Sequence, residues 1–453
     1  MTDAPFMLGV SGARGIVGKT MTPGVARRYA ACWGAHLASG AVAPVVCLGR
    51  DSRPSGPELA AAAAAGLSAA GCRVLDLGVV ATPTVGVMIG ATGAAGGVVI
   101  TASHNPTPWN GLKLLDHHGT APEPDRAAEI IATFRGTSDV ETAPSPEPIT
   151  TESRGTDTHV AKVLGLIDPM PLRERGFHVV LDSVNGAGVE GGRSLLRVLG
   201  CDVTHLGSES SGDFWHTPEP TAENLTGLCD AVRAHAADIG CAQDPDADRL
   251  ALVDEQGRYI GEEYTLVLAA WRVLLDHPGA NLVANLSTSR MIDDLAARFG
   301  ATVYRSAVGE ANVAALMREQ DAIAGGEGNG GVILPGITCV RDSLSGMALV
   351  LDLMRREAKP LSVLVDEIPR YVIVKEKLEL ADRADLDPAL SAMQTAFPEA
   401  TIDACDGIRL DLPEGWAHLR PSNTEPIARI IVEAATAEAA GGLLERVRVA
   451  TGL

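Results

Sequence analysis

Asp238-Ile239-Gly240-Cys241-Ala242 runs directly into Gln243-Asp244-Pro245-Asp246-Ala247-Asp248-Arg249, and Leu250-Ala251-Leu252-Val253 resumes as a strand. An apolar strand that empties its polar residues into the loop at its carboxyl end is the α/β arrangement, because strand ends are where such folds keep their sites. Asp244, Asp246 and Asp248 occupy alternate positions of that loop. Three converging carboxylates repel one another unless a cation lies between them. With few protein ligands and open positions the fitting ion is Mg²⁺, which commonly accompanies phosphate. A solvated acidic loop is the plainer reading. A calcium loop is the sharper rival, with Glu255 at the twelfth position from Asp244. It fails because Arg249, not glycine, holds the sixth position and a strand follows where a helix is needed.

The same grammar occurs three times. Val45-Val46-Cys47-Leu48-Gly49, His178-Val179-Val180-Leu181-Asp182 and Asn281-Leu282-Val283-Ala284-Asn285 each end in a polar turn. These turns are Arg50-Asp51-Ser52-Arg53, Ser183-Val184-Asn185-Gly186 and Ser287-Thr288-Ser289-Arg290. A helix follows, clearest between Glu58 and Ala70, and stops at Gly71, Gly200 or Gly300, each of which leads a second strand. Third strands feed Thr101-Ala102-Ser103-His104-Asn105-Pro106, the aspartate loop, and Gly325-Gly326-Glu327-Gly328-Asn329-Gly330-Gly331. The pattern predicts three related α/β domains, each an αβα sandwich with a mixed sheet, around a central cleft. The tail changes character: Tyr371–Lys375, Gly407–Leu410 and Gly415–Arg420 read as strands of a smaller α+β domain. Boundaries are expected near Thr142–Ser153, Glu255–Gly261 and Lys359–Arg370, dividing the chain at 1–150, 151–255, 256–367 and 368–453.

At 453 residues and 46% hydrophobic content, one core cannot hold the chain. The net charge of −20 argues against nucleic acid or an anionic membrane as partner, so any phosphate site must be locally basic. The eight cysteines show no paired spacing and read as reduced. No signal pattern or membrane-length apolar run is seen, so a cytoplasmic protein is expected.

Ser103 lies where a strand ends, at a turn expected to be exposed and open to phosphorylation. No Gly-x-Ser-x-Gly elbow surrounds it, and His104, its neighbour on an extended segment, is expected to point away. A phosphoserine would carry about −1.5 to −2 charges, which a cation held by the three aspartates would neutralise. Arg420-Pro421-Ser422-Asn423-Thr424-Glu425-Pro426 offers a guanidinium, hydroxyls, an amide and backbone N–H groups to a phosphate, with Arg429 on the strand beyond. Glu327 and Asn329 suit vicinal sugar hydroxyls, and their flanking glycines permit close approach.

Together, Thr101–Pro106, Asp244–Arg249, Gly326–Gly331 and Arg420–Pro426 resemble, in order and over essentially the whole chain, the four signature loops of the α-D-phosphohexomutase family. The resemblance implies three related α/β domains and a fourth of TATA-binding-protein-like fold. It implies Ser103 as a phosphoserine and a Mg²⁺ held by that phosphate with Asp244, Asp246 and Asp248. Phosphoryl transfer to a hexose 1- or 6-phosphate would form a 1,6-bisphosphate that turns around in the cleft. Arg14 and Lys113 match family positions near the serine. Lys113 is the first choice for acid/base; a depressed pKa would suit that role, though the adjacent phosphate would oppose the shift. Arg14 binds the transferring group, and His104 stands among the catalytic set. Arg249, Glu327, Asn329, Arg420, Ser422, Asn423, Thr424 and Arg429 are the implied substrate contacts.

This chain departs from many relatives at Pro245 and Ala247, where glycines are common, and at Gly331 and Glu310, where histidines are frequent. The Gly-Glu-Gly-Asn-Gly-Gly form is similar to an archaeal-type branch of phosphoglucosamine mutases and phosphomannomutase/phosphoglucomutases. Glucosamine 6-phosphate is the leading expected substrate, with Glu310 and Glu327 available to a substrate ammonium, and mannose and glucose phosphates close behind. A monomer or homodimer is expected. The rivals are a phosphatase with Asp244 as nucleophile and a non-catalytic sugar-phosphate sensor. A cleft between domains predicts closure by rotation of the last domain.

Overall fold

The computed structural model describes residues 5–40, 42–136, 147–379, 386–421 and 427–452. Three sheets repeat one topology. In the first, Val45–Arg50, Arg73–Val79 and Gly96–Ile100 run parallel and Trp109–Leu115 is antiparallel. His178–Asp182, Asp202–Leu206, Ile239–Gln243 and Leu250–Asp254 repeat this, as do Asn281–Asn285, Thr302–Ser306, Ala324–Glu327 and Gly331–Ile333. Across each sheet the order is second, first, third, fourth. The three-fold grammar is therefore one topology used three times, with mixed sheets as expected. The first sheet is extended at one edge by Phe6–Gly9 and Gly12–Ile16, and at the other by Ile149–Thr151.

Two local details differ from the sequence reading. The glycines precede the second strands rather than lead them: Gly71, Gly200 and Gly300 have φ of 90°, 73° and 64°, the left-handed conformation that closes a helix. The Gly325–Gly331 loop is tighter than expected, since Ala324–Glu327 and Gly331–Ile333 are strands and Gly328–Gly330 alone joins them. In all three units the functional loop is the hairpin between the third and fourth strands. That connection necessarily lies at the carboxyl end of the parallel strands, so one topology delivers three loops to equivalent places.

The fourth unit is a five-stranded antiparallel sheet of Val372–Glu379, Ile427–Ala434, Gly415–Pro421, Ile408–Leu412 and Thr401–Asp403, in that spatial order. Helices Leu386–Ala396 and Ala437–Thr451 accompany it. Its apolar residues form a core of their own, whereas the second and third units share one, in which Leu181 and Leu252 belong to the same cluster as Leu282 and Met347. The fourth unit instead meets the third through polar contacts, including Ser287 Oγ to His418 Nδ1 at 3.0 Å and the Arg290 amide to Glu433 at 3.0 Å. All eight cysteines are free, four of them buried. No helix among the described residues is long and apolar enough to cross a membrane.

His159 ties three units together. It is fully buried on the helix Gly155–Leu164, with Nδ1 2.9 Å from Thr84 Oγ1 and Nε2 3.0 Å from Asp342 Oδ2. Asp342 in turn caps the helix Ser343–Glu357 by accepting from the amides of Leu344 and Ser345. Burial opposes ionisation of Asp342, but His159 and these donors hold its carboxyl below the usual range. His159→Ala is expected to destabilise the chain by about 3 kcal/mol, because a buried carboxylate loses its partner. Chemical denaturation read by tryptophan fluorescence checks this.

Candidate active site

The serine loop sits on a buried brace. Thr101 Oγ1 donates to Asp51 Oδ2 at 2.7 Å and accepts from the Ser103 amide at 2.9 Å. Arg53, itself paired with Asp51, donates to the Ser103 carbonyl at 2.8 Å and to that of Asn105. These contacts hold Ser103 at φ 49°, a left-handed conformation uncommon for serine. The exposed turn expected from sequence is not observed: Ser103 is only 3% exposed, because the second unit closes over it. The segment is also not extended, so His104 does not point away, and its Nδ1 lies 3.4 Å from Ser103 Oγ. Burial, with Arg249 and Arg14 nearby, pushes the His104 imidazole down to about 2, which leaves it neutral.

Ser103 Oγ donates to Asp244 Oδ2 at 3.1 Å. A hydroxyl from the first unit and the carboxylates of the second therefore meet. Asp244, Asp246 and Asp248 are at most 1% exposed, and one carboxylate oxygen of each lies within 4.8 Å of the others. The loop closes on itself, since Asp244 Oδ1 accepts from the amides of Asp248 and Arg249, both at 3.1 Å. Ala247 takes φ 54° at the turn. A left-handed alanine costs about 1 kcal/mol, which the Ser343 hydroxyl donating to its carbonyl at 2.8 Å helps to offset.

The donor set fits a hard divalent cation. Burial and the mutual repulsion of the aspartates push the carboxyls of Asp244 and Asp246 upward. Burial acts the same way on Asp248, but Arg341, Lys113 and Arg249 outweigh it and hold that carboxyl low. Asp246 Oδ1 and Asp248 Oδ1 are buried and find no hydrogen-bond donor among the described residues. Orphaned acceptors of this kind are what an oxygen-coordinated ion satisfies. Thr82, from the first unit, orients the loop by donating to Asp246 Oδ2 at 2.7 Å. Thr82→Val is expected to weaken divalent-cation affinity by about 10–100-fold, measurable by calorimetric titration of the metal.

Beyond the aspartates lies a residue the sequence reading missed. Arg341 pairs with Asp248 at 2.6 Å, with Glu327 at 2.7 Å and with Glu310 at 2.9 Å. Lys113 bridges Asp248 at 3.4 Å and Glu310 at 3.0 Å. Burial pulls the Lys113 ammonium down, but Glu310 and Asp248 prevail and its pKa is raised rather than depressed. Nor are Glu310 and Glu327 available to a substrate ammonium. Glu310 is held between Lys113 and Arg341, and Glu327 also accepts from Asn285 Nδ2 at 2.9 Å and the Gly309 amide at 3.2 Å. The sequence signal for Arg341 was slight: an arginine one residue before a helix-capping aspartate. Arg14, half-buried and with its pKa lowered by desolvation against the pull of Asp246 and Asp248, donates to Asn105 Oδ1 at 3.3 Å. Arg249 lies 3.9 Å from Asp248.

The far end of the cleft lies between the third and fourth units. Glu327, Asn329, Arg420, Arg429 and Lys375 line one cavity. Arg420 is buried and pairs through Nε with Asp406 at 2.8 Å, while its Nη2 has no partner among the described residues. Ser422, Asn423 and Thr424 lie outside the described residues. The same cavity contains Glu263, whose carboxylate accepts from the Ser289 amide at 3.0 Å and whose carboxyl burial pushes up to about 8, against the pull of Lys375. A carboxyl raised on folding adds stability that is complete below its unfolded value and is lost as pH rises through about 8. Glu263→Gln is therefore expected to flatten the decline in stability between about pH 5 and about pH 9, by an order of a few kcal/mol. Urea midpoints across that range test it.

The fold and sequence have known counterparts. The chain matches the phosphoglucomutase/phosphomannomutase family in four consecutive pieces. These are alpha/beta/alpha domain I over residues 6–141, domain II over 157–257, domain III over 261–371 and the C-terminal domain over 372–450. A protein of Methanopyrus kandleri named "Probable phosphoglucosamine mutase" is 38% identical over 95% of this chain and 94% of its own. A "Phosphoglucomutase/phosphomannomutase" of Thermococcus kodakarensis is 37% identical over 97% of both chains. The crystal structure of a phosphoglucomutase/phosphomannomutase family protein from Burkholderia thailandensis superposes with a TM-score of 0.86 at 29% identity, covering 98% of this chain and 97% of that one. The chain is thus a phosphohexomutase and a member of the phosphoglucomutase/phosphomannomutase family.

Proposed function

We propose that this phosphohexomutase converts glucosamine 6-phosphate to glucosamine 1-phosphate through a phosphoserine at Ser103 and a bound 1,6-bisphosphate. The observation that carries this reading is the 3.1 Å approach of Ser103 Oγ to the buried aspartate cluster, with a basic wall at the other end of the same cleft. Asp244, Asp246 and Asp248, with the phosphoserine, would hold Mg²⁺, which supplies charge neutralisation to the transferring phosphoryl group. Arg14 and Arg249 face that group. Lys113 keeps its proton, so its first task is to donate to the serine oxygen as phosphate leaves. Glu327 and Asn329 hold sugar hydroxyls, and Arg420, Ser422, Asn423, Thr424 and Arg429 grip the phosphate that is not reacting. The bisphosphate must turn around between the two halves of the reaction, and the separate core of the fourth unit favours opening there.

The choice of glucosamine is supported by the names of relatives aligned over nearly the whole chain, not by a free carboxylate in the cleft. Residues 1–150, 151–255, 256–367 and 368–453 are the four units of the reading, as a cytoplasmic monomer or homodimer. Competing kinetics with glucosamine, mannose and glucose 6-phosphates, on protein whose Ser103 phosphate is verified by intact mass, are the test. A higher kcat/KM for glucosamine 6-phosphate is expected. Preference for mannose or glucose phosphate would reassign the substrate, and phosphate release without isomerisation would favour a phosphatase. No turnover at all with Mg²⁺ and 1,6-bisphosphate would favour a sensor.

A further inference from the structure

Gly331 ends the hairpin that carries Glu327, and the space beside it is taken by another residue. A Cβ at position 331 would lie 2.1 Å from Arg341 Cδ and 2.8 Å from Cγ. Those are inner atoms of a side chain whose guanidinium is pinned, so it has no free end to swing aside. Three carboxylates pin it: Asp248 at 2.6 Å, Glu327 at 2.7 Å and Glu310 at 2.9 Å. Lys113 closes a ring, since it contacts the same two carboxylates, Asp248 and Glu310, that Arg341 contacts. Side chains of all five charged residues are no more than 10% exposed. The ring joins the first unit through Lys113, the second through Asp248, and the third through Glu310, Glu327 and Arg341. Two cations balance part of three buried carboxylates, and removing one leaves unpaired charge in a place where it is costly.

We propose that Arg341 is a positioning residue of the reaction. It sets Glu327, and through Glu310 also Lys113, relative to the aspartate loop, and residue 331 is glycine because Arg341 lies across its Cα. The proposal rests on the mutase reading and deepens it. Arginine is suited to this place because its planar guanidinium spreads its donors over three nitrogens, each facing a different carboxylate, whereas an ammonium presents all its donors from one atom. The departures at Gly331 and Glu310 then become one coupled feature: the glycine makes room for the arginine, and Glu310 is its counter-charge.

The test is a cycle of Arg341→Met, Gly331→Ala and the double variant, with Arg341→Lys beside it, read in steady-state kinetics and in thermal midpoint. Arg341→Met is expected to lower kcat about 100-fold with KM changed less than about threefold, as for groups that misplace the reacting parts without touching them. Arg341→Lys should recover part of the loss, and Gly331→Ala should reproduce most of it. The double variant should be no worse than Arg341→Met alone, because the alanine displaces a side chain no longer there to be held. Additive losses, a wild-type kcat in Gly331→Ala, or a rise confined to KM would overturn the proposal. If the wild type isomerises no hexose phosphate, the functional reading fails separately. The midpoint cycle, which needs no substrate, then decides: coupled losses sustain the Arg341–Gly331 link, and additive losses end it.

Discussion

Ser103→Ala is expected to lower isomerisation of hexose phosphates by at least about 10³-fold, the scale of losing a covalent nucleophile. The substitution removes one oxygen and little else. The Ser103 amide, which donates to Thr101 Oγ1, and its carbonyl, which accepts from Arg53, belong to the backbone and are unchanged by alanine. Alanine tolerates φ 49° about as well as serine does. The fold and the aspartate cluster should therefore persist, and the thermal midpoint should move little. Intact mass should show no phosphate on the variant under conditions that phosphorylate the wild type. Turnover within tenfold of wild type would place the phosphoryl acceptor elsewhere, with Asp244 the next candidate.

Neutralising one aspartate should separate stability from activity. Asp244→Asn is expected to raise the thermal midpoint of the metal-free chain, since it relieves repulsion among three buried carboxylates that lie within 4.8 Å of one another. It should equally abolish the gain in midpoint on adding Mg²⁺. At a hundredfold excess over Kd the stabilisation behind that gain is about 2.7 kcal/mol for the wild type. Activity should fall by at least about 10²-fold, because charge on the transferring group is no longer neutralised. The amide retains an oxygen that can accept from Asp248 and Arg249, so the loop should keep its shape. A metal-free midpoint that drops, or a Mg²⁺ response that survives, would remove Asp244 from the cation site.

Much of this molecule was legible because its signals are local. A strand followed by a polar turn, a helix stopped by Gly71, Gly200 or Gly300, and a third strand feeding a loop are patterns of near neighbours, and each appears in the structure. The aspartate spacing was also local, since one turn of backbone carries all three carboxylates. The errors arose where a residue's state depends on distant chain. Ser103 was expected at an exposed turn, yet the second unit buries it. For Lys113 the neighbours that set its protonation were not visible, and two carboxylates contributed by the second and third units strengthen its hold on its proton. Glu310 and Glu327 looked available to a substrate ammonium, and their charge is instead paired with Arg341.

What the sequence determined by itself is the unit: strand, helix, second strand, helix and a third strand that feeds a functional loop, written three times; the antiparallel fourth strand that makes each loop a hairpin is seen in the structure. What tertiary structure alone decided is how the loops face one another, and hence the protonation and partners of every charged group between them. The shared core of the second and third units and the bonds of Thr82 to Asp246 and His159 to Asp342 set that arrangement. The physical reason is range. Backbone periodicity and turn chemistry act over a few neighbouring residues. A buried charge responds to whatever packing brings within a few ångströms, and for Arg341 those neighbours are contributed by residues 14 to 93 positions away.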